Sequence, residues 1–284
     1  MTQKIAVITD TDSSLPPYLA SQWKIVQIPI TIHFENESFT TGLDIDDRLL
    51  FEKVDRENKL PTTAAPCPED FVSAFRTAFD GGAEAIICIC VSSQVSSTYS
   101  AAVMAMQSFP NKIIYVIDSL NMSMAQGFMA LTAAEAAQKG LSPQAINDLV
   151  TETGKRMHTY ALLSTLKYLA LSGRVGKFMA GMADTFNIKP ILTVKDGKLI
   201  LLEKIRTKKK ATDRMFNLTT AVLNGKRIVK MAIIHVNDPE GAEDLERNIR
   251  MNYDCPEEIM IAEITPGLSV HTGSGVVGIV FQSE

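Results

Sequence analysis

Cysteine is scarce in this sequence, an excess of positive charge is missing, and no apolar run is long. The four cysteines show no metal-ligand spacing and are typical of small core residues in a reducing compartment. The 28 basic residues are outnumbered by 32 acidic ones, unlike in a general nucleic-acid binder. The apolar runs are too short to cross a bilayer, and no charged leader begins the chain. We therefore expect a cytoplasmic protein with no metal, no nucleic acid and no stable membrane insertion.

Short, uniformly apolar runs at residues 5–9, 85–91 and 113–117 predict strands of a parallel sheet that is covered on both faces. Helical patterns lie between them, so the fold class is α/β, with a doubly wound, mostly parallel sheet in residues 1–155. In residues 156–284 we expect a second α/β domain with a mixed or antiparallel sheet. Its clearest signal is Asp196-Gly197, which predicts a hairpin between strands at 188–194 and 199–205.

Each of the three apolar runs ends in aspartate or serine, as at Asp10, Ser92-Ser93 and Asp118-Ser119. Ligands of open α/β sheets bind at this carboxyl edge. The second run continues into a serine-rich stretch, residues 91–99, that opens a helix. Backbone N–H groups and hydroxyls at a helix start suit a carboxylate or phosphate oxygen. The alternative is that Ser93 or Ser96 only caps the helix.

Eight short motifs occur in order along the chain: Thr9-Asp10-Thr11, Pro61-Thr62-Thr63-Ala64-Ala65-Pro66, Ser92-Ser93 through Thr98-Tyr99, Asp118-Ser119, Leu171-Ser172-Gly173-Arg174, Asn187-Ile188-Lys189-Pro190, Arg206-Thr207-Lys208-Lys209 and His271-Thr272-Gly273-Ser274-Gly275. Together they resemble the DegV family of bacterial fatty-acid-binding proteins, which present a bound acyl chain to a kinase. The resemblance implies a carrier with no cofactor and no catalysis of its own. A long-chain fatty acid would lie in a tunnel between the two domains, and a separate fatty acid kinase subunit would phosphorylate its carboxylate.

The resemblance also implies which residues contact the fatty acid. Either Thr62 or Thr63, together with Ser93 and His271, would hold the carboxylate, and the choice between the two threonines stays open. The full set of expected ligand-binding residues is Thr62, Thr63, Ser93, Ser96, Arg174, His271 and Gly273.

The basic run Arg206, Lys208 and Lys209 is implied as the surface on which the kinase docks, although such a run is also typical of a solvated helix start. Two departures from the family pattern affect the head-group site. Ala64-Ala65-Pro66-Cys67 stands where Ser-Gln-Pro-Ser is usual, and Ser97 replaces a glycine. The geometry around the carboxylate is therefore expected to differ.

Two other functions compete with the carrier. A lipid esterase or other hydrolase would use Ser93 and His271 with an acid such as Asp118. The sequence has no Gly-x-Ser-x-Gly elbow, and a run of hydroxyls indicates shared hydrogen bonding more than one activated nucleophile. A phosphosugar or nucleotide binder would need a glycine-rich loop after the first strand, where Asp10 and Asp12 instead repel phosphate.

Overall fold

The computed structural model describes residues 4–172 and 188–284, which divide into two compact units. Unit 1 comprises residues 4–45 and 61–155, and unit 2 comprises residues 46–60 together with the described residues from 156 to 284. A mixed α/β fold with a parallel four-stranded sheet and a separate mixed sheet confirms the predicted fold class. Arg174 lies outside the described residues, as do residues 176–182, for which the sequence pattern predicts a helix.

The main sheet of unit 1 has four parallel strands in the order β2-β1-β6-β7. The strands are β1 (Ile5–Asp10), β2 (Ile25–Ile28), β6 (Ala85–Cys90) and β7 (Ile113–Asp118). All six residues of β6 are buried, because helices cover both faces of the sheet. On one face Ile8, Ile86 and Cys88 pack against Phe71 and Phe75 of the third helix.

The helices of unit 1 are α1 (Pro17–Trp23), α3 (Pro68–Asp80), α4 (Thr98–Met106), α5 (Met124–Gln138) and α6 (Pro143–Lys155). Three of them begin with proline, whose fixed φ and missing N–H suit the first helical position. A short 3-10 helix, Thr11–Ser13, follows β1.

A small antiparallel sheet also belongs to unit 1. Its strands are β3 (Thr31–His33), β4 (Ser38–Thr40) and β5 (Thr62–Ala64), in the order β4-β3-β5. Between β4 and β5 the chain contributes α2 (Asp47–Glu57) to unit 2.

Unit 2 is built on a six-stranded mixed sheet in the order β10-β9-β8-β13-β11-β12. Its strands are β8 (Met157–Leu162), β9 (Lys189–Lys195), β10 (Lys198–Ile205), β11 (Ile228–Val236), β12 (Met260–Glu263) and β13 (Val276–Ser283). The hairpin at Asp196-Gly197 is confirmed. Both residues have positive φ, at 51° and 77°, as a two-residue turn of this kind requires.

The described residues of unit 2 form the helices α2, α7 (Lys167–Ser172), α8 (Lys208–Leu223), α9 (Pro239–Asn252) and α10 (Pro266–Thr272). The sequence pattern predicts α8 only from residue 212. The helix begins four residues earlier because Thr207 caps it, its hydroxyl oxygen accepting the N–H of Lys210 at 3.3 Å. Across the described ranges, no helix combines the length and apolarity needed to cross a bilayer.

Candidate functional site

Two carboxylates hold the loop that follows β6, residues 91–97, which we call the serine loop. Asp10, at the end of β1, accepts the N–H of Val91 through Oδ2 at 2.8 Å. Asp118, at the end of β7, accepts the N–H of Ser93 through Oδ1 at 3.1 Å. Since β6 lies between β1 and β7 in the sheet, the loop is fixed from both sides.

Four further backbone N–H groups of the serine loop also bind protein atoms. Ser92 donates its N–H to the carbonyl oxygen of Asn121 at 2.9 Å. The hydroxyl and carbonyl oxygens of Ser92 then accept the N–H groups of residues 94–96 at 3.1 to 3.2 Å. The N–H groups of residues 91–96 are thus already bonded within the protein, and the expectation that N–H groups at the helix start bind an anion stays a prediction. The hydroxyl groups of the loop are further donors that a ligand can use.

The two candidate serines of the loop differ in what their hydroxyls do. Ser96 Oγ lies 2.8 Å from Thr98 Oγ1 and accepts the Thr98 N–H at 3.3 Å. It therefore supports the residue that begins α4, while the N-cap residue itself is Ser97, whose side chain makes no cap bond. Ser93 Oγ accepts only a long bond, 3.5 Å, from Gln94 Nε2. Within the described chain the half-buried Ser93 hydroxyl donates to no residue, so its proton is available to a ligand.

Asp10 and Asp12 place less negative charge at this sheet edge than their residue types predict. Burial raises the pKa of Asp10 to about 6, although hydrogen bonds from Val91 and Gln126 favour the charged form. Burial, and then the charge of Asp10, raise the pKa of Asp12 well above its ordinary value. Among the described residues, Asp12 Oδ1 has no hydrogen-bond partner. Both effects favour the neutral acids and weaken the repulsion of an anion.

Thr62 and Thr63 lie on β5 with their side chains on opposite faces. Thr63 pairs with Ile32, which is fully buried, whereas Thr62 pairs with the exposed His33. Directly paired residues share a face of a sheet, so Thr63 lies on the buried face and Thr62 on the exposed face. A single ligand group on one face of this sheet can therefore contact only one of the two.

In unit 2, His271 and Gly273 lie at the end of α10. His271 is half-buried in the last turn, and Gly273 follows the helix with φ of +85°. A Cβ atom at position 273 would lie 2.4 Å from Cδ2 of Tyr168, so both the backbone conformation and the space require glycine. The glycine thus reflects tight packing of α10 against α7.

Asp47 anchors α10 and was missed by the sequence analysis. It lies in the first turn of α2, is 1% exposed, and accepts a hydrogen bond from the hydroxyl of Ser269. Its Oδ2 is buried without a partner among the described residues. Burial raises the pKa of Asp47 to about 7; the Ser269 bond opposes this, and the charges of Glu263 and Asp46 add to it. No local pattern signals the pair, which is 222 residues apart in sequence.

Arg206, Lys208 and Lys209 are exposed around the start of α8. Lys208 Nζ lies 3.5 Å from Asp238 Oδ2, a pair that is largely open to solvent. Their role as a kinase-docking surface stays a prediction, as do the ligand contacts of the other candidate residues.

One oxygen of Asp118 serves the loop. Its Oδ1 accepts the backbone N–H groups of both Ser93 and Leu120 at 3.1 Å. The acid of a hydrolase triad instead accepts the ring N–H of its histidine. In the described parts of the chain, no cluster of three histidine, cysteine or acidic side chains is arranged to hold a metal ion.

Comparison with known proteins identifies one family. The family model described as "Uncharacterised protein, DegV family" matches residues 4–284. A DegV domain-containing protein of Halalkalibacterium halodurans is 31% identical over 281 residues, which cover 99% of each chain. Another, from Clostridium perfringens, is 30% identical over 284 residues, again 99% of each chain.

Solved structures match the fold over the whole length. A DegV family protein from Thermus thermophilus, described by its fatty acid binding, gives a TM-score of 0.93 at 27% identity, with 99% of this chain and 100% of that chain covered. DegV from Bacillus subtilis, described as a fatty acid binding protein, gives a TM-score of 0.88 at 30% identity, with coverage of 99% and 100%.

Proposed function

We propose, since the chain belongs to the DegV family, that it is a carrier that binds a long-chain fatty acid and grips the carboxylate with uncharged donors. The observation that carries this proposal is the free hydroxyl of Ser93 on a loop whose backbone is already fixed. The two full-length structural relatives described as fatty-acid-binding support the choice of ligand. Thr62 or Thr63, Ser96, His271, Gly273 and Arg174 complete the proposed contact set.

The head group and the tail contribute differently to this binding. Burial of an acyl tail gains roughly 0.8 kcal/mol per methylene, so a chain of about sixteen carbons gains on the order of 10 kcal/mol before ordering costs. Each hydrogen bond to the carboxylate adds about 1 to 3 kcal/mol. The tail therefore supplies most of the affinity, and the hydroxyls decide that an acid is accepted.

The first test is extraction of the purified, denatured protein followed by mass spectrometry. We expect close to one fatty acid per chain. Ser93→Ala should reduce the retained fatty acid after washing, because the hydroxyl donor is lost. Ser100→Ala is the matched control, since Ser100 is exposed on α4 and lies outside the proposed contact set. The proposal is contradicted if the native protein carries no lipid and the two variants retain equal amounts of added fatty acid.

The same measurement decides which of the two threonines contacts the carboxylate. Thr62→Val and Thr63→Val each remove one hydroxyl while preserving side-chain shape. Because the side chains lie on opposite faces of β5, only one variant should lose carboxylate affinity. An equal loss of affinity in both variants would mean that β5 itself is disturbed. Full affinity in both variants would mean that neither threonine contacts the carboxylate.

The alternative function, a lipid hydrolase, predicts that the protein cleaves esters, whereas a carrier does not. It requires turnover of a p-nitrophenyl acyl ester that Ser93→Ala abolishes. We expect no such turnover, because Asp118 is committed to backbone N–H groups.

We further propose that the bound carboxylate is presented to a separate fatty acid kinase, which transfers the γ-phosphoryl group of ATP to a carboxylate oxygen and releases ADP. The exposed basic residues Arg206, Lys208 and Lys209 would form the docking surface. Incubation with a bacterial fatty acid kinase and ATP should yield acyl phosphate, trapped as hydroxamate with hydroxylamine. Charge reversal by Arg206→Glu with Lys209→Glu should slow this reaction, whereas Lys198→Glu, at the far end of the β9-β10 hairpin, should not.

A further inference from the structure

A small cavity lies at one edge of the mixed sheet in unit 2. It occupies about 120 Å3 where β8 ends and β9 and β13 begin. Its polar lining comes from Ser164, Lys189, Lys208 and Gly275, and leucine and valine side chains complete the wall. One water molecule needs roughly 10 to 15 Å3 of such space, so the cavity has room for a tetrahedral oxyanion and a few waters.

The charge of this cavity is positive. Lys189 begins β9, and no acidic group in the described ranges lies within ion-pair distance of its ammonium group. Lys208 begins α8 and has one acidic neighbour, Asp238 Oδ2, at 3.5 Å. The described lining contains no acidic side chain. Two lysine side chains thus line one small space, and one of them, Lys208, is paired with a carboxylate.

The surrounding sequence strengthens this local charge although the whole chain has a net charge of −4. Four of the five residues from 206 to 210 are basic. Glu203, the nearest acid before them, is already bound by Arg214, whose Nε donates to it at 2.7 Å. The field at the start of α8 is therefore positive and attracts anions.

The hydroxyl of Ser164 fixes one wall of the cavity. It donates to the carbonyl oxygen of Ser274, which joins the loop after β8 to the loop before β13. Gly275 donates its N–H to the carbonyl oxygen of Val236 at 2.8 Å. These bonds hold the wall in place, and the two flexible lysines remain as the groups that respond to a ligand.

We propose that this cavity is an oxyanion site for a phosphoryl group, bound by the ammonium groups of Lys189 and Lys208. Lysine binds phosphate as a point charge with three donors, and a phosphate carries about −1.5 to −2 charges at neutral pH. The cavity is too small for an acyl tail, and neither lysine is among the proposed contacts to the fatty acid carboxylate, although Lys208 also belongs to the proposed docking surface.

The test is calorimetric titration of the full chain with inorganic phosphate, with chloride used to keep the ionic strength constant. We expect saturable binding that weakens about tenfold or more in Lys189→Met, because one charged hydrogen bond is lost while the side-chain stem remains. Lys198→Met is the matched control: it removes a lysine from the other end of the same hairpin and should bind phosphate as the native chain does.

Absence of saturation by phosphate, or equal binding by the native chain and Lys189→Met, overturns the proposal. So does equal weakening in Lys189→Met and Lys198→Met, since that result means general attraction to a basic surface. Titration with butyl phosphate distinguishes the source of the phosphoryl group: tighter binding than inorganic phosphate assigns the site to a phosphate monoester, and weaker binding assigns it to free phosphate. Fatty acid content, measured by extraction on the same samples, reports separately on the proposed carrier function.

Discussion

The buried carboxyl of Asp47 should make the stability of unit 2 depend on pH. Its pKa is 3.8 ordinarily and about 7 in the folded chain. The folded state therefore binds more protons than the unfolded state between these values, so stability is fullest below about pH 4 and falls as the pH rises towards 7. Since each pKa unit corresponds to about 1.4 kcal/mol, the loss across this window is about 4 kcal/mol.

Asp47→Asn removes this titration while keeping an oxygen that can accept the Ser269 hydroxyl. The variant should therefore become more stable relative to the native chain as the pH rises, its free energy of unfolding increasing by about 4 kcal/mol relative to that of the native chain between pH 4 and pH 8. Urea unfolding at a series of pH values, followed by far-ultraviolet circular dichroism, measures this difference. Fluorescence of Trp23, the only tryptophan, reports on unit 1 in the same samples.

Asp46→Asn is the matched control for this experiment. Asp46 is the neighbouring residue, is exposed, and caps α2 by accepting the Leu49 N–H at 2.7 Å, a role that asparagine also fills. Its charge is the smallest of the causes that raise the Asp47 pKa, so its loss should change the pH dependence little. If the free energy of unfolding varies with pH in the same way for Asp47→Asn and the native chain from pH 4 to 8, the raised pKa of Asp47 is refuted.

Three further outcomes follow from the packing of each unit. Asp12→Asn should gain stability relative to the native chain as the pH rises, because the folded pKa of Asp12 is raised by burial; Trp23 fluorescence during urea unfolding measures this. Gly273→Ala should destabilise by about 1 kcal/mol or more, and Tyr168→Ala should recover part of that loss in a double-mutant cycle, since the added Cβ meets the tyrosine ring. Asp118→Ala should speed hydrogen exchange of the Ser93 amide, which loses its acceptor.

The strands of the parallel sheet were the most predictable elements. The apolar runs at residues 5–9, 85–91 and 113–117 match β1, β6 and β7 to within one residue. The effect is clearest in β6, since a parallel strand that is covered on both faces excludes polar side chains until it ends. The start of α8 was less predictable. Its first turn is lysine-rich and has no apolar periodicity, and only the hydrogen bond from the Lys210 N–H to Thr207 reveals the cap.

The candidate site was predictable in position but not in its internal contacts. Sequence places Asp10, Ser93 and Asp118 at the same sheet edge, because each follows a buried strand. That the two carboxylates hold the loop from either side depends on the strand order β1-β6-β7, which pairs Asp10 with a residue 81 positions away. Contacts over such distances leave no local periodicity to detect, and the bond between Asp47 and Ser269 is the extreme case.

The fixed serine loop also determines how a carrier of this kind would select among acids. Because the N–H groups of residues 91–96 are bonded within the protein, the loop needs no rearrangement to receive a ligand, and a serine hydroxyl costs little entropy to orient. In the proposed carrier the same few hydroxyls would meet every carboxylate, so the head group would contribute nearly the same free energy to the binding of short and long acids. Discrimination by length then comes from the tail, at roughly 0.8 kcal/mol per methylene. Shortening the acid by two methylenes weakens binding by more than tenfold on this argument, whereas removal of the Ser93 hydroxyl weakens all chain lengths by the same factor.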